Sequence, residues 1–329
     1  MNNIDFDLLS YQKYIVSFSG GKDSTALLLY LLENNVPRDR IELWHQEIDG
    51  RARTLFDWEV TPDYCRKLGE AFGIPVYYQW KEGGFERELL RKECLTAPIC
   101  FELPDGQIKR VGGINGKNNT RRKFPQPSPD LRVRWCSAYL KIDVCATALR
   151  SQERFKNIRT LVLSGERGEE SKQRSQYAII EPDKADLRKG KHFYRHIDRF
   201  RPLRDWKESQ IWDLLEKYRV RPHPCYFMGF GRCSCKFCVF GNQHQFASAA
   251  CISKNISEEL IRFENEFGYT LKRNTDLKTL ICQGKPYKQI TPELARIATS
   301  YEYSHEIIIP DNQKWQIPSG AFKKCGGPI

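Results

Sequence analysis

Residues 14–25 of the chain read Tyr-Ile-Val-Ser-Phe-Ser-Gly-Gly-Lys-Asp-Ser-Thr, and this stretch decides the fold. Ile15, Val16 and Phe18 form a short apolar run that ends at a turn signal, which predicts a buried β-strand. The residues that follow, 25–32, are almost all apolar and predict a helix. The stretch is therefore a strand, a tight loop and a helix N-terminus in direct succession.

The loop between this strand and this helix has the composition of an anion site. Gly20 and Gly21 permit positive φ angles and a close approach of the backbone to a ligand. Asp23 or Ser24 is expected to cap the helix. The backbone N–H groups of a helix N-terminus carry roughly half a positive charge, and Lys22 adds a full one. The loop is thus predicted to bind phosphate groups.

Strands and helices alternate after this loop. Further strands are predicted at 41–48, 74–80 and 160–165, and helices at 62–72, 84–94 and 207–218. This alternation is typical of βαβ units and of a parallel sheet. Ligands of such sheets bind at the carboxyl ends of the strands, where Ser19 and Asp49 are both expected to lie.

The composition of the 329 residues limits the class of protein. No run approaches the ~20 apolar residues of a membrane span, and the N-terminus has no signal pattern, so a cytoplasmic protein without a membrane partner is expected. The formal net charge of +12 favours nucleic acid or a polyanionic nucleotide as partner, although a generic basic surface is an open alternative. Twelve cysteines in such a chain indicate metal or redox chemistry more than disulfides.

Two regions depart from the alternating pattern. Residues 100–134 are rich in Gly, Asn, Pro, Lys and Arg and predict a long basic loop. It is expected to be a mobile lid, a loop that binds nucleic acid, or a solvated insertion. A cysteine-rich segment follows at 224–241. We therefore divide the chain into a nucleotide-binding domain, 1–241, and a mainly helical region, 242–329, which could be a small lid or docking domain.

A second charged element follows the strand predicted at 160–165. Arg167 and Arg174 can bind phosphate in a bidentate manner, and Glu170 can hold one of them in place. A surface cluster of ion pairs is the alternative interpretation. The position of the element at the carboxyl end of a strand favours the phosphate site.

Several motifs, in order, resemble the phosphoadenosine phosphosulfate (PAPS) reductase family of the PP-loop ATP pyrophosphatase superfamily. They are Ser19-Gly20-Gly21-Lys22-Asp23-Ser24, Arg134-Trp135-Cys136 with Leu140-Lys141, Ser164-Gly165-Glu166-Arg167 with Glu170-Ser171 and Arg174, Arg201-Pro202-Leu203 with Trp206, and Gly231-Arg232-Cys233-Ser234-Cys235 with Cys238. The resemblance covers residues from about 12 to 240. It implies an α/β fold with a Rossmann-like parallel sheet of the adenine nucleotide alpha hydrolase type and a C-terminal, mainly helical appendage.

The resemblance also implies a set of functional residues and cofactors. ATP and Mg²⁺ are the expected ligands. The catalytic residues would be Lys22, Asp23, Arg167 and Arg174. The nucleotide would be bound by Ser19, Gly20, Gly21, Lys22, Asp23, Ser24, Asp49, Gly165, Glu170 and Ser171.

Four cysteines form a candidate metal site: Cys136, Cys233, Cys235 and Cys238. Thiolates suit iron–sulfur clusters or zinc. In the resembled family, a cysteine of the Trp135-Cys136 element and a late Cys-x-x-Cys hold a 4Fe–4S cluster. Ser137 stands where members with four thiolates carry a second cysteine. The fourth ligand is therefore Cys233, Cys225 or an open position, and zinc is the alternative metal.

Three functions follow from these motifs. The leading one is an ATP pyrophosphatase that activates an acceptor, expected to be nucleic acid, for sulfur transfer, as in the DNA phosphorothioation members of the family. A cysteine desulfurase or another sulfur donor would be its partner. The first alternative is a PAPS or adenylyl sulfate reductase with Cys325 as nucleophile and a thioredoxin-type reductant. The second is a nucleotide-binding subunit without turnover.

Overall fold

A mixed eight-stranded sheet forms the centre of the molecule in the computed structural model, which describes residues 6–190 and 194–323. The strands are β1 (Lys13–Ser17), β2 (Ile41–Glu47), β3 (Val76–Lys81), β4 (Ile99–Glu102), β5 (Ile108–Val111), β6 (Arg159–Leu163), β7 (Ile180–Pro182) and β8 (His196–Phe200). Their order is β5-β4-β3-β2-β1-β6-β8-β7. The five central strands are parallel, and β4, β5 and β7 pair antiparallel at the two edges. The predicted α/β class is confirmed.

Helices pack around this sheet, and in the chain they alternate with the strands or follow the last of them. They are α1 (Lys22–Glu33), α2 (Thr61–Phe72), α3 (Gly84–Leu90), α4 (Trp135–Ser137), α5 (Asp143–Arg150), α6 (Lys172–Ser175), α7 (Glu208–Lys217), α8 (Pro224–Phe227), α9 (Gln243–Ile252), α10 (Lys254–Phe267), α11 (Leu277–Gln283) and α12 (Pro292–Ala298). A π-helical turn, Ala138–Ile142, joins α4 to α5. Of the helices in the described ranges, none has the length and apolar composition needed to cross a bilayer.

The position of β1 creates the crevice in which the site lies. Tyr14, Ile15 and Val16 are fully buried, as a central strand covered on both faces requires. β1 pairs with β2 on one side and with β6 on the other, so the connections from these strands leave in opposite directions. Ligands of open α/β sheets bind at such a switch point, outside the carboxyl ends of the strands.

The start of α1 differs from the expected one. The helix begins at Lys22, and Gly21 is its N-cap without a side-chain hydrogen bond. The Ser24 hydroxyl donates instead to the Gly21 carbonyl at 2.9 Å, inside the first turn. The prediction that Asp23 or Ser24 caps the helix was therefore wrong. Of the two loop glycines, only Gly20 has a positive φ, of 71°.

The region predicted as one long loop, 100–134, begins with a β-hairpin. β4 and β5 extend the sheet at its edge, with Ile99, Cys100 and Phe101 buried and a tight turn at Gly106, whose φ is 81°. β5 escaped prediction because it is short and largely exposed, with two charged residues between Ile108 and Val111, which leaves no apolar alternation to detect. From 112 to 134 the chain forms no helix or regular strand, as predicted.

The C-terminal residues are mainly helical, as predicted, and they pack into the rest of the molecule. Tyr303 and Trp315 belong to the same buried core as Tyr64 on α2. Leu260 on α10 shares a second core with Phe56. Residues after 241 therefore cover apolar surface of the preceding domain, and a boundary at 241 stays a prediction.

Candidate active site

Two adjoining cavities lie at the carboxyl ends of β1 and β6. The loop cavity, about 240 Å³, is lined by Gly21, Asp23, Ser24, Gly165, Glu170, Arg174, Tyr226 and Arg232. The thiol cavity, about 230 Å³, is lined by Phe18, His45, Gln46, Asp57, Lys141, Ile142, Cys145, Arg199, Ser234 and Cys235. Both are lined by Ser17, Ser19, Ser164, Glu166 and Cys233. They form one pocket whose floor is the switch point of the sheet.

The Ser19–Ser24 loop is held by the segment that follows α7. A Cβ placed on Gly21 would lie 3.1 Å from the Cβ of Cys233 and 3.4 Å from the Tyr226 hydroxyl. That hydroxyl accepts a hydrogen bond from the Lys22 N–H at 3.0 Å. A side chain at position 21 would therefore press on a second segment, and this close approach, not a positive φ, favours glycine there.

Lys22 does not line either cavity. Its side chain is 2% exposed, and the ammonium lies 3.3 Å from Asp23 and 3.7 Å from Glu208, with the Trp212 ring 5.9 Å away. Glu208 belongs to α7, far away in the chain, so local sequence gave no sign of this pairing. The ammonium group of Lys22, which was expected to face a phosphate, is instead paired with Asp23 and Glu208.

Arg167 is buried in the same ion-pair network. Its guanidinium lies 2.6 Å from Asp23, 2.5 Å from Glu169 and 3.8 Å from Glu208. Burial opposes ionisation of Asp23, but the charges of Lys22 and Arg167 outweigh it and lower the pKa of this carboxyl group. Asp23, which does line the loop cavity, is therefore a carboxylate at neutral pH.

Two arginines do reach the loop cavity. Arg174 pairs with Glu170, as the sequence predicted, and Arg232 lies 4.0 Å from the other oxygen of the same carboxylate. Ser171, predicted to bind the nucleotide, instead caps α6 by accepting from the Arg174 N–H at 3.3 Å. Arg232 was missed as a site residue, although it precedes Cys233 in a motif that the sequence had singled out.

His45 is a further wall residue that the sequence did not indicate. Its Nδ1 lies 2.9 Å from the Phe18 carbonyl, to which it can only donate, so in the neutral ring Nε2 carries the lone pair. Nε2 has no hydrogen-bond partner among the described residues, and burial lowers the pKa of the ring. His45, which lines the thiol cavity, therefore carries a buried acceptor without a hydrogen-bond partner among the described residues. A polar side chain inside the predicted strand 41–48 was the available signal.

Cys136, Cys235 and Cys238 share one environment around Lys141. Burial raises the pKa of the Cys136 thiol to about 11, and the neighbouring Cys238 adds to this effect. Lys141 is exposed and lines the thiol cavity. Desolvation by the surrounding residues opposes its charge, but Cys235, then Asp57 and Cys136, outweigh it and raise the pKa of Lys141. Three thiols near one cation are a donor set suited to a soft metal centre.

The fourth predicted ligand, Cys233, is not part of that group. Its thiol lies instead with His223 and Cys225, and the ligand atoms of these three residues are all within 4.8 Å of one another. A hydrogen bond from Cys225 and the proximity of His223 lower the pKa of Cys233. The chain bends between 231 and 234, so Cys233 and Cys235 face different neighbours.

Asp49 lies at the predicted edge of the sheet but outside the two cavities. Its carboxylate accepts hydrogen bonds from the backbone N–H groups of Phe56 and Asp57, at 2.9 and 2.8 Å. It lines a separate cavity of about 330 Å³. Burial raises its pKa to about 7. In this structure Asp49 closes a turn and does not reach the Ser19–Ser24 loop.

A wide basic groove of about 770 Å³ opens beside the pocket. Its cationic residues are Arg134, Arg174, Lys184, Arg199 and Arg201. Glu166 lines the groove as well as both cavities, and Arg174 lines the groove and the loop cavity. A polyanion in the groove would therefore reach the wall of the pocket.

The cations of the 112–134 loop are largely used within the protein. Arg121 forms an ion pair with buried Glu88 at 2.7 Å, and Arg122 contacts the Phe267 ring at 4.9 Å. Lys123 lies 4.9 Å from the Tyr269 ring. These contacts hold Arg121 against α3, and Arg122 and Lys123 against the helical region.

Cys325, the nucleophile of the reductase alternative, lies outside the described residues. The structure therefore neither supports nor opposes a role for it. The residues that it does bring together are those of the loop, the 164–174 element and the cysteine segment. These three elements are the ones that carried the family resemblance.

Comparison with known proteins supports the same family. Residues 113–239 match the phosphoadenosine phosphosulfate reductase domain. This segment contains Cys136, Arg174 and the Cys235–Cys238 pair, and it supports the PAPS reductase family of the PP-loop superfamily for this chain. The match begins after the Ser19–Ser24 loop, so the prediction that this loop binds phosphate rests on its own sequence and geometry.

Other similarities are more distant. The chain is 25% identical over 242 residues to an uncharacterized 37.8 kDa protein of Escherichia phage 186. The aligned region covers 71% of this chain and 69% of that protein. Candida glabrata FMN adenylyltransferase in complex with ATP aligns with 12% identity and a TM-score of 0.35, over 68% of this chain and 52% of that one. Yeast FAD synthetase in complex with FAD aligns with 12% identity and a TM-score of 0.36, over 90% and 83%. The chain thus spans about half the length of the Candida enzyme.

Proposed function

We propose that this protein is an ATP pyrophosphatase that activates a nucleic-acid acceptor for sulfur transfer. One observation carries the proposal. The Ser19–Ser24 loop and the Gly165–Arg174 element, far apart in the chain, line one cavity at the carboxyl ends of adjacent strands. Thiols at 233 and 235 line the cavity next to it.

The triphosphate would occupy the loop cavity. The N-terminus of α1 offers backbone N–H groups there, and Arg174 and Arg232 offer guanidinium groups that can grip phosphate oxygens. Asp23, Glu166 and Glu170 also line this cavity. Carboxylate oxygens are the ligands that Mg²⁺ prefers, so these residues suit an ion shared with the phosphates.

The reaction would begin with attack of an acceptor oxygen on the α-phosphorus. The bond between this phosphorus and the bridging oxygen to the β-phosphate breaks, pyrophosphate leaves with that electron pair, and the acceptor becomes adenylylated. Arg174 and Arg232 would stabilise the charge that develops on the phosphate oxygens. The outer sulfur of a persulfide, released as hydrosulfide by a thiol reductant that becomes a disulfide, then attacks the acceptor, and AMP leaves with the electron pair of the broken bond.

Sulfur would come from a cysteine desulfurase or another persulfide donor. Cys136, Cys235 and Cys238 would hold a 4Fe–4S cluster, with the Lys141 ammonium as a nearby counter-charge. When bound, such a cluster would supply redox chemistry and, with only three thiolate ligands, an iron position open to sulfur. Cys235, which lines the thiol cavity, would place this centre beside the activated acceptor.

The acceptor would lie in the basic groove. Nucleic acid suits the groove because its backbone phosphates can pair with arginines along one face, and the net charge of +12 favours the same partner. Such binding should weaken with salt, because it releases counterions from the nucleic acid.

Equilibrium binding of ATP to the full chain tests the assignment of the pocket. Arg174→Ala should weaken Mg-ATP binding about tenfold or more, since a charge-assisted contact to phosphate is worth ~1.5–3 kcal/mol. Arg132→Ala is the matched control, because Arg132 is exposed and pairs only with Asp130. If PAPS binds instead of ATP and sulfite is formed from it, the reductase alternative is favoured.

A further inference from the structure

We propose that His223, Cys225 and Cys233 form a binding site for a divalent transition metal, zinc by the chemistry of its donors. The ligand atoms of these three side chains lie within 4.8 Å of one another. The site is distinct from the group of Cys136, Cys235 and Cys238, and it does not depend on the proposed ATP chemistry.

The donors and their spacing suit Zn²⁺. Two thiolates and one imidazole are a ligand set that zinc takes in proteins. Zn–S and Zn–N bonds of about 2.3 and 2.0 Å in a tetrahedron place neighbouring ligand atoms roughly 3.5–3.8 Å apart. The observed group therefore needs to contract by only about 1 Å at most to bind the ion, a change that side-chain rotation can supply.

His223 is already oriented as a metal ligand. Its ring is fully buried, and Nε2 lies 3.2 Å from the Thr61 hydroxyl. If Nε2–H donates to Thr61, Nδ1 carries the lone pair; Nδ1 now accepts a hydrogen bond from the backbone N–H of Cys225 at 3.2 Å, and a metal ion at Nδ1 would replace this hydrogen bond. A hydrogen bond on the far nitrogen is the usual way in which proteins fix the tautomer of a metal-binding histidine.

The two sides of the site come from rigid segments. His223 and Cys225 flank Pro224 at the start of α8, and His223 is the N-cap of that helix. Cys233 comes from the bend that packs on the phosphate-binding loop, with its Sγ 3.8 Å from the Ser19 carbonyl oxygen. A metal bound here would tie α8 and the bend to this loop.

The fourth position of the metal faces the pocket. In the part of the chain that the structure describes, this group contains three candidate ligands and no fourth. His223 and Cys225 are buried, whereas Cys233 is partly exposed and lines both the loop cavity and the thiol cavity. Zinc with three protein ligands and one exchangeable position is the arrangement of catalytic zinc sites. Water, or an anionic oxygen or sulfur atom of the substrate, would take the open position.

Metal content measured on matched variants tests the site. The full chain is purified without oxygen, its iron and zinc are quantified, and the zinc-depleted protein is titrated with Co²⁺ alone. We expect one zinc per chain, and a thiolate-to-cobalt charge-transfer band when Co²⁺ replaces it. Cys225→Ser and His223→Asn should each lose the zinc and the band, and Cys282→Ser, which removes an exposed thiol elsewhere, should lose neither.

Cys238→Ser separates this site from the proposed cluster. It should lose iron and keep zinc, while Cys225→Ser should do the reverse, so failure of either site is visible without any activity measurement. Thermal unfolding of each variant shows whether it is folded, and His223→Asn keeps a polar side chain in case Cys225→Ser is unstable. The inference is overturned if folded wild type binds neither zinc nor Co²⁺ through thiolates, or if mass spectrometry finds a Cys225–Cys233 disulfide in the oxygen-free protein.

Discussion

Gly21 and Cys233 are in direct contact: a Cβ on Gly21 would lie 3.1 Å from the Cβ of Cys233. One residue belongs to the loop that begins α1, and the other to the cysteine segment that follows α8. The absence of a side chain at position 21 lets these segments pack closely, and Cys233 Sγ also lies 3.8 Å from the Ser19 carbonyl oxygen. The Ser19–Ser24 loop and the thiol of Cys233 therefore share a wall.

This contact predicts the effect of Gly21→Ala. The new methyl group must displace either the loop or the 231–234 bend, so Mg-ATP binding should weaken about tenfold while the free energy of unfolding changes by less than ~1 kcal/mol. ATP titration and urea unfolding of the same samples measure the two effects.

A second substitution shows whether the contact is the cause. Cys233→Gly removes the opposing Cβ, so the double variant Gly21→Ala with Cys233→Gly should bind ATP more tightly than Gly21→Ala alone. If the losses in ATP affinity of the two substitutions simply add in the double variant, the contact with Cys233 is not the reason that Gly21 affects ATP binding.

Lys22 is expected to stabilise the fold. Its ammonium balances Asp23 and Glu208 together with Arg167, so Lys22→Ala leaves a partly buried network short of one positive charge and should lower the free energy of unfolding by about 2–4 kcal/mol. Lys217→Ala, which breaks an exposed pair with Glu33, should lower it by less than ~1 kcal/mol. Urea unfolding compares the two variants. A Lys22→Ala protein of unchanged stability that no longer binds ATP would instead identify a direct phosphate ligand.

Asp49 is expected to make stability depend on pH. Its pKa is raised by burial from 3.8 to about 7, so between these values the folded state binds a proton that the unfolded state has lost. The free energy of unfolding contributed by Asp49 should therefore fall as the pH rises from about 4 to 7, and change little above that.

The variant Asp49→Asn isolates this contribution, because it keeps an oxygen acceptor for the Phe56 and Asp57 N–H groups and removes the titration. Chemical unfolding of both proteins at a series of pH values gives the difference between them. A difference that is constant from pH 4 to 7 would show that Asp49 titrates normally.

Lys141 is expected to help retain the proposed iron–sulfur cluster. It is the cation near Cys136, Cys235 and Cys238, so Lys141→Met should reduce the iron and sulfide content of protein purified without oxygen by half or more. Lys278→Met, on an exposed face of α11, is the control. Equal iron content in both variants would show that Lys141 does not help to retain the cluster.

Local features of the fold could be predicted from the sequence. The strand, loop and helix around Ser19–Ser24 were found because a buried apolar run, a glycine pair and a helical apolar face are contiguous signals. The start of α1 was misplaced because Ser24 hydrogen-bonds back to Gly21 and does not cap the helix. β5 was missed because an exposed edge strand carries no apolar pattern.

The site depended more on tertiary packing. Arg174 and Glu170 were paired correctly because they are four residues apart on one element. Glu208 reaches Lys22 from a distant helix, and Cys233 turns away from Cys235 at a bend. Neither arrangement can be predicted from residues that are adjacent in the sequence.

The fate of labelled ATP tests the central claim most directly. The oxygen-free protein is incubated with Mg²⁺, total nucleic acid and ATP labelled at the α- or γ-phosphate, and the products are separated. We predict that the γ-label appears in pyrophosphate and the α-label in AMP or in the nucleic acid, and that Arg174→Ala slows both. Release of orthophosphate with ADP, or inert ATP together with sulfite formed from PAPS, would contradict the account.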